Sequence, residues 1–101
     1  MKLGIDRTNT VADITFSGNM YLEDVIPTQE QLLEIVDDGA TILRMDLSRL
    51  DYIDSSGLGM LISIHKHCLQ KGGKMTIMGL KGMVEELFKL TRLDLVLMVR
   101  P

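Results

Sequence analysis

Residues 50–59 read LDYIDSSGLG, and this stretch joins two segments that differ in the spacing of their apolar residues. The segment before it, residues 42–47, is an apolar run typical of a buried strand. In the segment after it, apolar residues recur at helical spacing from Leu58 to Leu69. The stretch therefore predicts a strand-to-helix junction that carries two hydroxyl groups where the helix begins.

The start of a helix is a suitable place for a phosphate, because its first backbone N–H groups lack partners and its dipole favours negative charge. Serine is a preferred N-cap, so either Ser55 or Ser56 is expected to cap the helix and the other to face solvent. A phosphate there would add about −1.5 to −2 charges, which a docked partner would have to desolvate or repel. The alternative to a phosphate site is a turn and helix cap with only a structural role, in which Gly57 and Gly59 allow close packing.

Bulk composition favours one soluble α/β domain over residues 1–101. The hydrophobic content of 46% supports a core, and the net charge of −3 without a basic cluster makes nucleic acid a poor partner. No apolar run has the length of a membrane span, and the first residues do not resemble a signal peptide. The single cysteine excludes an internal disulfide framework, so a cytoplasmic location is expected.

The rest of the chain predicts the element order β-β-α-β-α-β-α-β, with a mixed, mostly parallel sheet and helices packed against it. Strands are expected over residues 2–6, 11–17, 41–47, 74–78 and 95–99, and helices over residues 28–38, 56–71 and 82–91. Gly18 is expected to end the second strand. A capping box formed by Thr28 and Gln31 is expected to begin the first helix, and Gly39 to end it. Residues 20–26 give no clear pattern.

Patterns for catalysis, metals and cofactors are weak. Residues 65–68 read HKHC, but neighbouring residues on a helix point in different directions, so a buried, satisfied His65 is favoured over a metal ligand. Asp46, Asp51 and Asp54 could bind Mg²⁺ weakly, although such residues more often cap helices and turns. The serine stretch lacks a nucleophile elbow, and its glycines lack the spacing of a dinucleotide-binding loop. We therefore expect a protein that is not an enzyme and needs no cofactor.

Three segments together resemble the STAS-domain family of bacterial anti-sigma factor antagonists. They are residues 46–59 (DLSRLDYIDSSGLG), residues 71–74 (KGGK) and residues 84–94 (VEELFKLTRLD), so the resemblance covers almost the whole chain. The resemblance implies a partner-switching regulator. The unphosphorylated form would bind an anti-sigma factor, often a serine kinase of the GHKL type, and a PP2C-type phosphatase would reverse the phosphorylation that ends binding.

The resemblance also implies which residues form the site. The family's acceptor hydroxyl usually follows the aspartate directly, which corresponds to Ser55, with Ser56 as the alternative. Many members carry an aspartate where this chain has Tyr21, and Glu23 and Asp24 are nearby acids that could substitute. The expected partner-binding residues are Asp54, Ser55, Ser56, Gly57, Leu58, Gly59, Tyr21 and Asp24.

A second reading from the same resemblance is a constitutive STAS subunit of a larger complex, such as an ABC-type lipid transporter, without a phosphorylation cycle. A small enzyme that uses Ser55 or Ser56 is the third. The sequence leaves the oligomeric state and the identity of the partner open.

Overall fold

Five strands and three α-helices follow one another along residues 1–100, the part of the chain that the computed structural model describes. Their bounds are β1 Lys2–Thr8, β2 Val11–Met20, α1 Leu22–Asp37, β3 Ile42–Ile53, α2 Ser55–Gln70, β4 Lys74–Met78, α3 Gly82–Leu90 and β5 Met98–Val99, with a short 3-10 helix at Leu93–Leu95. The predicted element order is confirmed.

The strands lie in the sheet in the same order as in the sequence, β1-β2-β3-β4-β5. Strand β1 pairs antiparallel to β2 through a tight turn at residues 9–10, and the other neighbours pair parallel, as the predicted mixed sheet requires. Because each crossover moves one strand in the same direction, α1 and α2 pack against each other on one face of the sheet. Both helices therefore begin at the edge where β2 and β3 end.

The core lies between the sheet and the helices. Its largest fully buried side chains come from β2, β3 and all three helices, and they include Phe16, Phe88, Ile14, Met20, Leu32, Leu43, Met45, Leu47, Leu50, Ile53, Leu61 and Ile64. The opposite face of the sheet is more polar. There the guanidinium group of Arg44 donates hydrogen bonds of 2.6 and 2.8 Å to the two carboxylate oxygens of Asp13.

The second and third strands are longer than predicted. Gly18 does not end β2, which continues to Met20; its φ of +90°, which glycine tolerates, lies next to the second register shift. Strand β3 runs on to Ile53, and its pairing with β2 shifts register twice, between Thr15 and Ser17 and between Gly18 and Asn19. At each shift β3 has one extra residue, as in a β-bulge. The bulges break the alternation of buried residues, so the second half of β3 does not show the period of a strand.

The first helix begins six residues before the predicted capping box. Thr28 is a buried residue of the helix interior, and α1 begins at Leu22. The helix tolerates Pro27, which cannot donate to the carbonyl of the preceding turn, at the expense of one backbone hydrogen bond. The last strand is also shorter than predicted, since Leu95 ends the 3-10 helix and only Met98–Val99 pair with β4.

Candidate functional site

Asp54 caps helix α2, and the expectation that a serine is the N-cap is therefore wrong. Asp54 has an extended backbone, and its Oδ1 accepts hydrogen bonds from the backbone N–H groups of Ser56 at 3.0 Å and Gly57 at 3.2 Å. Aspartate is as good an N-cap as serine. With this residue in place, neither serine hydroxyl is needed as the acceptor for the first turn.

The two serines of the junction have different surroundings. The hydroxyl of Ser56 donates a hydrogen bond to Oδ1 of Asp54, and its side chain is half-buried. Ser55 is exposed, and its hydroxyl makes no side-chain hydrogen bond to any of residues 1–100. One hydroxyl is thus held by the cap and the other is open to solvent.

The carboxylate of Asp54 is a stable negative charge beside Ser55. Its pKa is held below the ordinary value of 3.8, mainly by the hydrogen bond from the Ser56 hydroxyl and further by the N–H groups of Gly57 and Ser56. These donors stabilise the ionised form. At neutral pH the start of α2 therefore already carries the anion that its dipole favours.

The two glycines of the junction differ in packing, because Gly57 is closely packed and Gly59 is not. A Cβ on Gly57 would lie 2.6 Å from Cγ1 of Ile53 and 2.8 Å from Sδ of Met20, so this glycine allows α2 to approach the sheet. A Cβ on Gly59 would meet no atom within 4 Å, because Gly59 faces open space. Gly57 and Leu58 are buried on the side of the helix start that packs against the sheet. Ser55 and Gly59 are exposed on its surface.

Tyr21 and Asp24 lie at the neighbouring helix start, after β2. The backbone N–H of Tyr21 donates to Oδ2 of Asp24 at 2.9 Å, and the N–H of Asp24 donates back to the Tyr21 carbonyl at 2.9 Å. Asp24 is therefore engaged in capping α1, and Glu23 is exposed. The ring of Tyr21 packs on that of Tyr52, with centroids 5.3 Å apart. At the position where the resemblance implies an acid, this chain has an aromatic pair.

Leu22 and Ile26 are surface residues beside this site that the sequence did not reveal. Each is 66% exposed, and they are one helical turn apart in α1. Leu22 and Ile26 have the spacing of one helical turn, but Pro27 and the capping-box pattern after it predict a later helix start. The exposed surface at this edge of the sheet is thus partly apolar.

The other candidate groups lie apart from one another. His65 is buried with an unpartnered Nδ1, whereas Nε2 of His67 lies 2.8 Å from Oδ1 of Asp37. Burial raises the pKa of the Cys68 thiol to about 11. Oδ1 of Asp46 accepts a hydrogen bond of 2.9 Å from the backbone N–H of Ser48. Among residues 1–100, no three side chains of metal-ligating type come together.

Within the same residues, no helix combines the length and the apolar character needed to cross a lipid bilayer.

Comparison with known proteins gives a consistent result. The sequence profile of the STAS domain matches residues 3–101. A protein of Bordetella bronchiseptica with the provisional name of anti-sigma factor antagonist BtrV is 30% identical over 91 residues, which cover 90% of this chain and 78% of BtrV.

Solved structures share the fold at lower identity. An anti-sigma factor antagonist from Mycobacterium paratuberculosis superimposes with a TM-score of 0.85 at 20% identity, covering 99% of this chain and 85% of that one. The anti-sigma factor antagonist SpoIIAA in its unphosphorylated form gives a TM-score of 0.80 at 16% identity, covering 99% and 88%. The phosphorylated form of SpoIIAA from Bacillus gives 0.79 at 18% identity, covering 99% and 92%. On the profile match and these likenesses together, the chain belongs to the STAS domain family and has the fold of the anti-sigma factor antagonists.

Proposed function

We propose that this protein is a partner-switching regulator that binds an anti-sigma factor of the GHKL kinase type and is released when Ser55 is phosphorylated. The observation that carries the proposal is the unequal state of the two hydroxyls. Ser55 is exposed and has no hydrogen-bond partner in the described chain, whereas Ser56 donates to Asp54. A kinase can reach the first hydroxyl without disturbing the cap. The name of BtrV and the two states of SpoIIAA support this assignment.

The transfer step breaks one bond of the chain, the O–H bond of Ser55. Oγ of Ser55 forms a bond to the γ-phosphorus of ATP, the bond from that phosphorus to the bridging oxygen breaks, and ADP leaves. The hydroxyl proton passes to a base of the kinase. A PP2C-type phosphatase reverses the modification by adding water, which returns the serine and inorganic phosphate.

The phosphate would change the surface and leave the fold intact. The backbone N–H groups of Ser56 and Gly57 are already bonded to Asp54, so they cannot neutralise a phosphate on Ser55. About −1.5 to −2 charges would then be added next to a carboxylate that is itself ionised. A partner docked over Ser55 would have to desolvate this cluster of charge, which weakens the complex.

The test uses any GHKL-type anti-sigma factor that the genes neighbouring this one encode. After incubation with ATP, intact mass spectrometry should show one added phosphate on the wild type and on Ser56→Ala, and none on Ser55→Ala. A phosphate lost only in Ser56→Ala would transfer the acceptor role to that residue.

Binding is measured with the same anti-sigma factor by calorimetry. The variant Ser55→Asp should bind at least about tenfold more weakly than the wild type, since a charge would be buried without a partner. Unchanged affinity would contradict the charge mechanism. If the wild type neither binds nor accepts phosphate, and the gene lies in a transporter operon, the reading as a constitutive subunit of an ABC-type lipid transporter replaces this one.

A further inference from the structure

Strand β1 lies at one edge of the sheet, and its outer side has no neighbouring strand among residues 1–100. It pairs with β2 over the whole of Lys2–Thr8 without a register shift, and it contains no proline. Bulges and prolines are features that keep an edge strand from pairing with another chain. This edge is therefore regular and long enough to accept a further strand.

The hairpin fixes which backbone groups of β1 point outward. Thr8 and Val11 are the closing pair of a two-residue turn, in which Asn9 has a φ of +56°. Such a closing pair is hydrogen-bonded, and hydrogen-bonded pairs alternate with non-hydrogen-bonded pairs along an antiparallel ladder. The even-numbered residues of β1 therefore bond to β2, whereas Leu3 and Ile5 direct their N–H and C=O groups to the free edge.

Two exposed charges on β1 have no partner within the described chain. Lys2 and Asp6 lie on the polar face of the sheet, and neither forms an ion pair with another of residues 1–100. Asp6 is instead opposite Asp13 of β2, and like charges in that relation repel. Asp13 is already bonded to Arg44, so Asp6 gains no cation from the chain itself.

These two charges lie at equal distances on either side of Gly4. We infer that two copies of this protein pair their β1 strands antiparallel, with Gly4 opposite Gly4 of the second copy, so that the two sheets become one. Lys2 of each copy then faces Asp6 of the other. Leu3 of each copy faces Ile5 of the other and exchanges backbone hydrogen bonds with it. The contact is isologous, so each of these interactions occurs twice.

The register is specified by the side chains of β1. Because the outward groups belong to odd-numbered residues, odd residues must face odd residues, and the next register on either side leaves Lys2 or Asp6 opposite Gly4. The registers beyond those place Asp6 opposite Asp6 or Lys2 opposite Lys2. On the core side of the sheet, the inferred register joins the half-buried Leu3 to Ile5, which is 37% exposed. One register thus satisfies both the charged and the apolar side chains.

The pairing goes beyond the proposed function and does not depend on it. Ser55 follows β3, which is two strands away from β1 in the sheet. A contact along one short strand buries less area than a standard protein interface, so the dimer should be weak, with a Kd of about 10–100 μM.

Sedimentation equilibrium of the purified protein tests the charged pairs. Lys2→Asp and Asp6→Lys each place like charges opposite each other at both symmetric positions, so each should weaken the dimer at least about tenfold. An equimolar mixture of the two variants brings opposite charges together again and should dimerise as well as the wild type. The matched controls are Lys66→Asp on α2 and Glu86→Lys on α3, exposed positions with the same charge changes. Both should dimerise like the wild type, and circular dichroism checks folding.

The register is tested by cross-linking through Gly4→Cys. The two Gly4 residues form a non-hydrogen-bonded pair with Cα atoms about 4.5 Å apart, which is within the range of a disulfide. A Cβ on Gly4 would lie 3.8 Å from Cβ of Thr15, an ordinary contact that the fold accepts. With dissolved oxygen as the oxidant, this variant should form a covalent dimer. Thr8→Cys, which faces no residue of the second copy, should remain monomeric, and the native Cys68 is buried.

The outcomes separate this inference from the proposed function. A protein that is monomeric well above the expected Kd would overturn the pairing. A dimer that both β1 charge variants leave intact uses another surface and would overturn it as well. Equal cross-linking of Gly4→Cys and Thr8→Cys would exclude the register. Phosphorylation of Ser55 is measured separately by intact mass, so the proposed switch stands or fails independently of these results.

Discussion

Replacing Ser56 by alanine should destabilise the domain, whereas replacing Ser55 should not. The Ser56 hydroxyl donates to Oδ1 of Asp54, the atom that also accepts the first backbone N–H groups of α2. The Ser55 hydroxyl has no such partner among residues 1–100. The two substitutions remove the same atom from adjacent positions, so each is the control for the other.

The magnitudes follow from the geometry. A hydrogen bond to a charged group contributes about 1.5–3 kcal/mol, and the lower end applies to the half-buried Ser56. Alanine recovers about 0.5 kcal/mol through its higher helix propensity. Ser56→Ala should therefore lose about 1 kcal/mol, while Ser55→Ala gains up to about 0.5 kcal/mol. A gap of about 1.5 kcal/mol corresponds to a difference in Tm of about 6–12 °C for a domain of this size.

Urea and thermal unfolding followed by circular dichroism measure this gap. Combining each variant with Asp54→Ala in a double-mutant cycle isolates the coupling to the cap. We expect about 1 kcal/mol of coupling between residues 54 and 56, and none between residues 54 and 55. Equal stabilities of the two serine variants, or a coupling that belongs to Ser55, would refute the assignment of the hydroxyls.

Three further predictions concern the junction and the core. Gly57→Ala should destabilise the domain by about 1–3 kcal/mol in urea unfolding, because its Cβ overlaps Ile53, whereas Gly59→Ala, which faces open space, should be neutral or stabilising. Because the pKa of Asp54 is depressed in the folded state, its stabilisation is present above the ordinary value of 3.8 and is lost as the pH falls through the lower folded value. Asp54→Asn should therefore show less acid dependence of stability than the wild type in this range, and equal slopes would exclude the cap as a contributor. Cys68 should react with a thiol reagent only as fast as the protein unfolds, since it is buried with a pKa of about 11; rapid labelling of the folded protein would contradict its burial.

The sequence predicted the element order and the junction, because both depend on local patterns that packing did not override. Helix α2 has its apolar period and a glycine-rich end, and the serine stretch follows a buried strand. Strand β3 was predicted only in its first half, since the register shifts opposite residues 15–19 break the alternation of its buried residues. Pairing with a neighbouring strand, which no local pattern records, keeps this half extended.

The beginning of α1 could not be predicted for a related reason. Thr28 and Gln31 have the composition of a capping box directly after Pro27, and that local signal favours a helix start. In the structure Asp24 supplies an earlier cap, and Val25 and Thr28 are buried against the core. The burial gained over this extra turn outweighs one missing hydrogen bond at the proline. The same turn carries Leu22 and Ile26, so the error hid an exposed apolar surface.

The arrangement of the cap would let the proposed switch act at one residue without destabilising the fold. The carboxylate of Asp54 satisfies the start of α2 by itself, and Ser56 holds that carboxylate in place. Ser55 makes no side-chain hydrogen bond within the described chain, so the proposed phosphorylation would change the charge of the surface and leave the cap of α2 in place. Had a serine been the cap, as the sequence suggested, phosphorylation would have removed the acceptor that begins α2. An aspartate cap followed by a serine whose hydroxyl makes no side-chain hydrogen bond therefore separates the structural role from the proposed acceptor role.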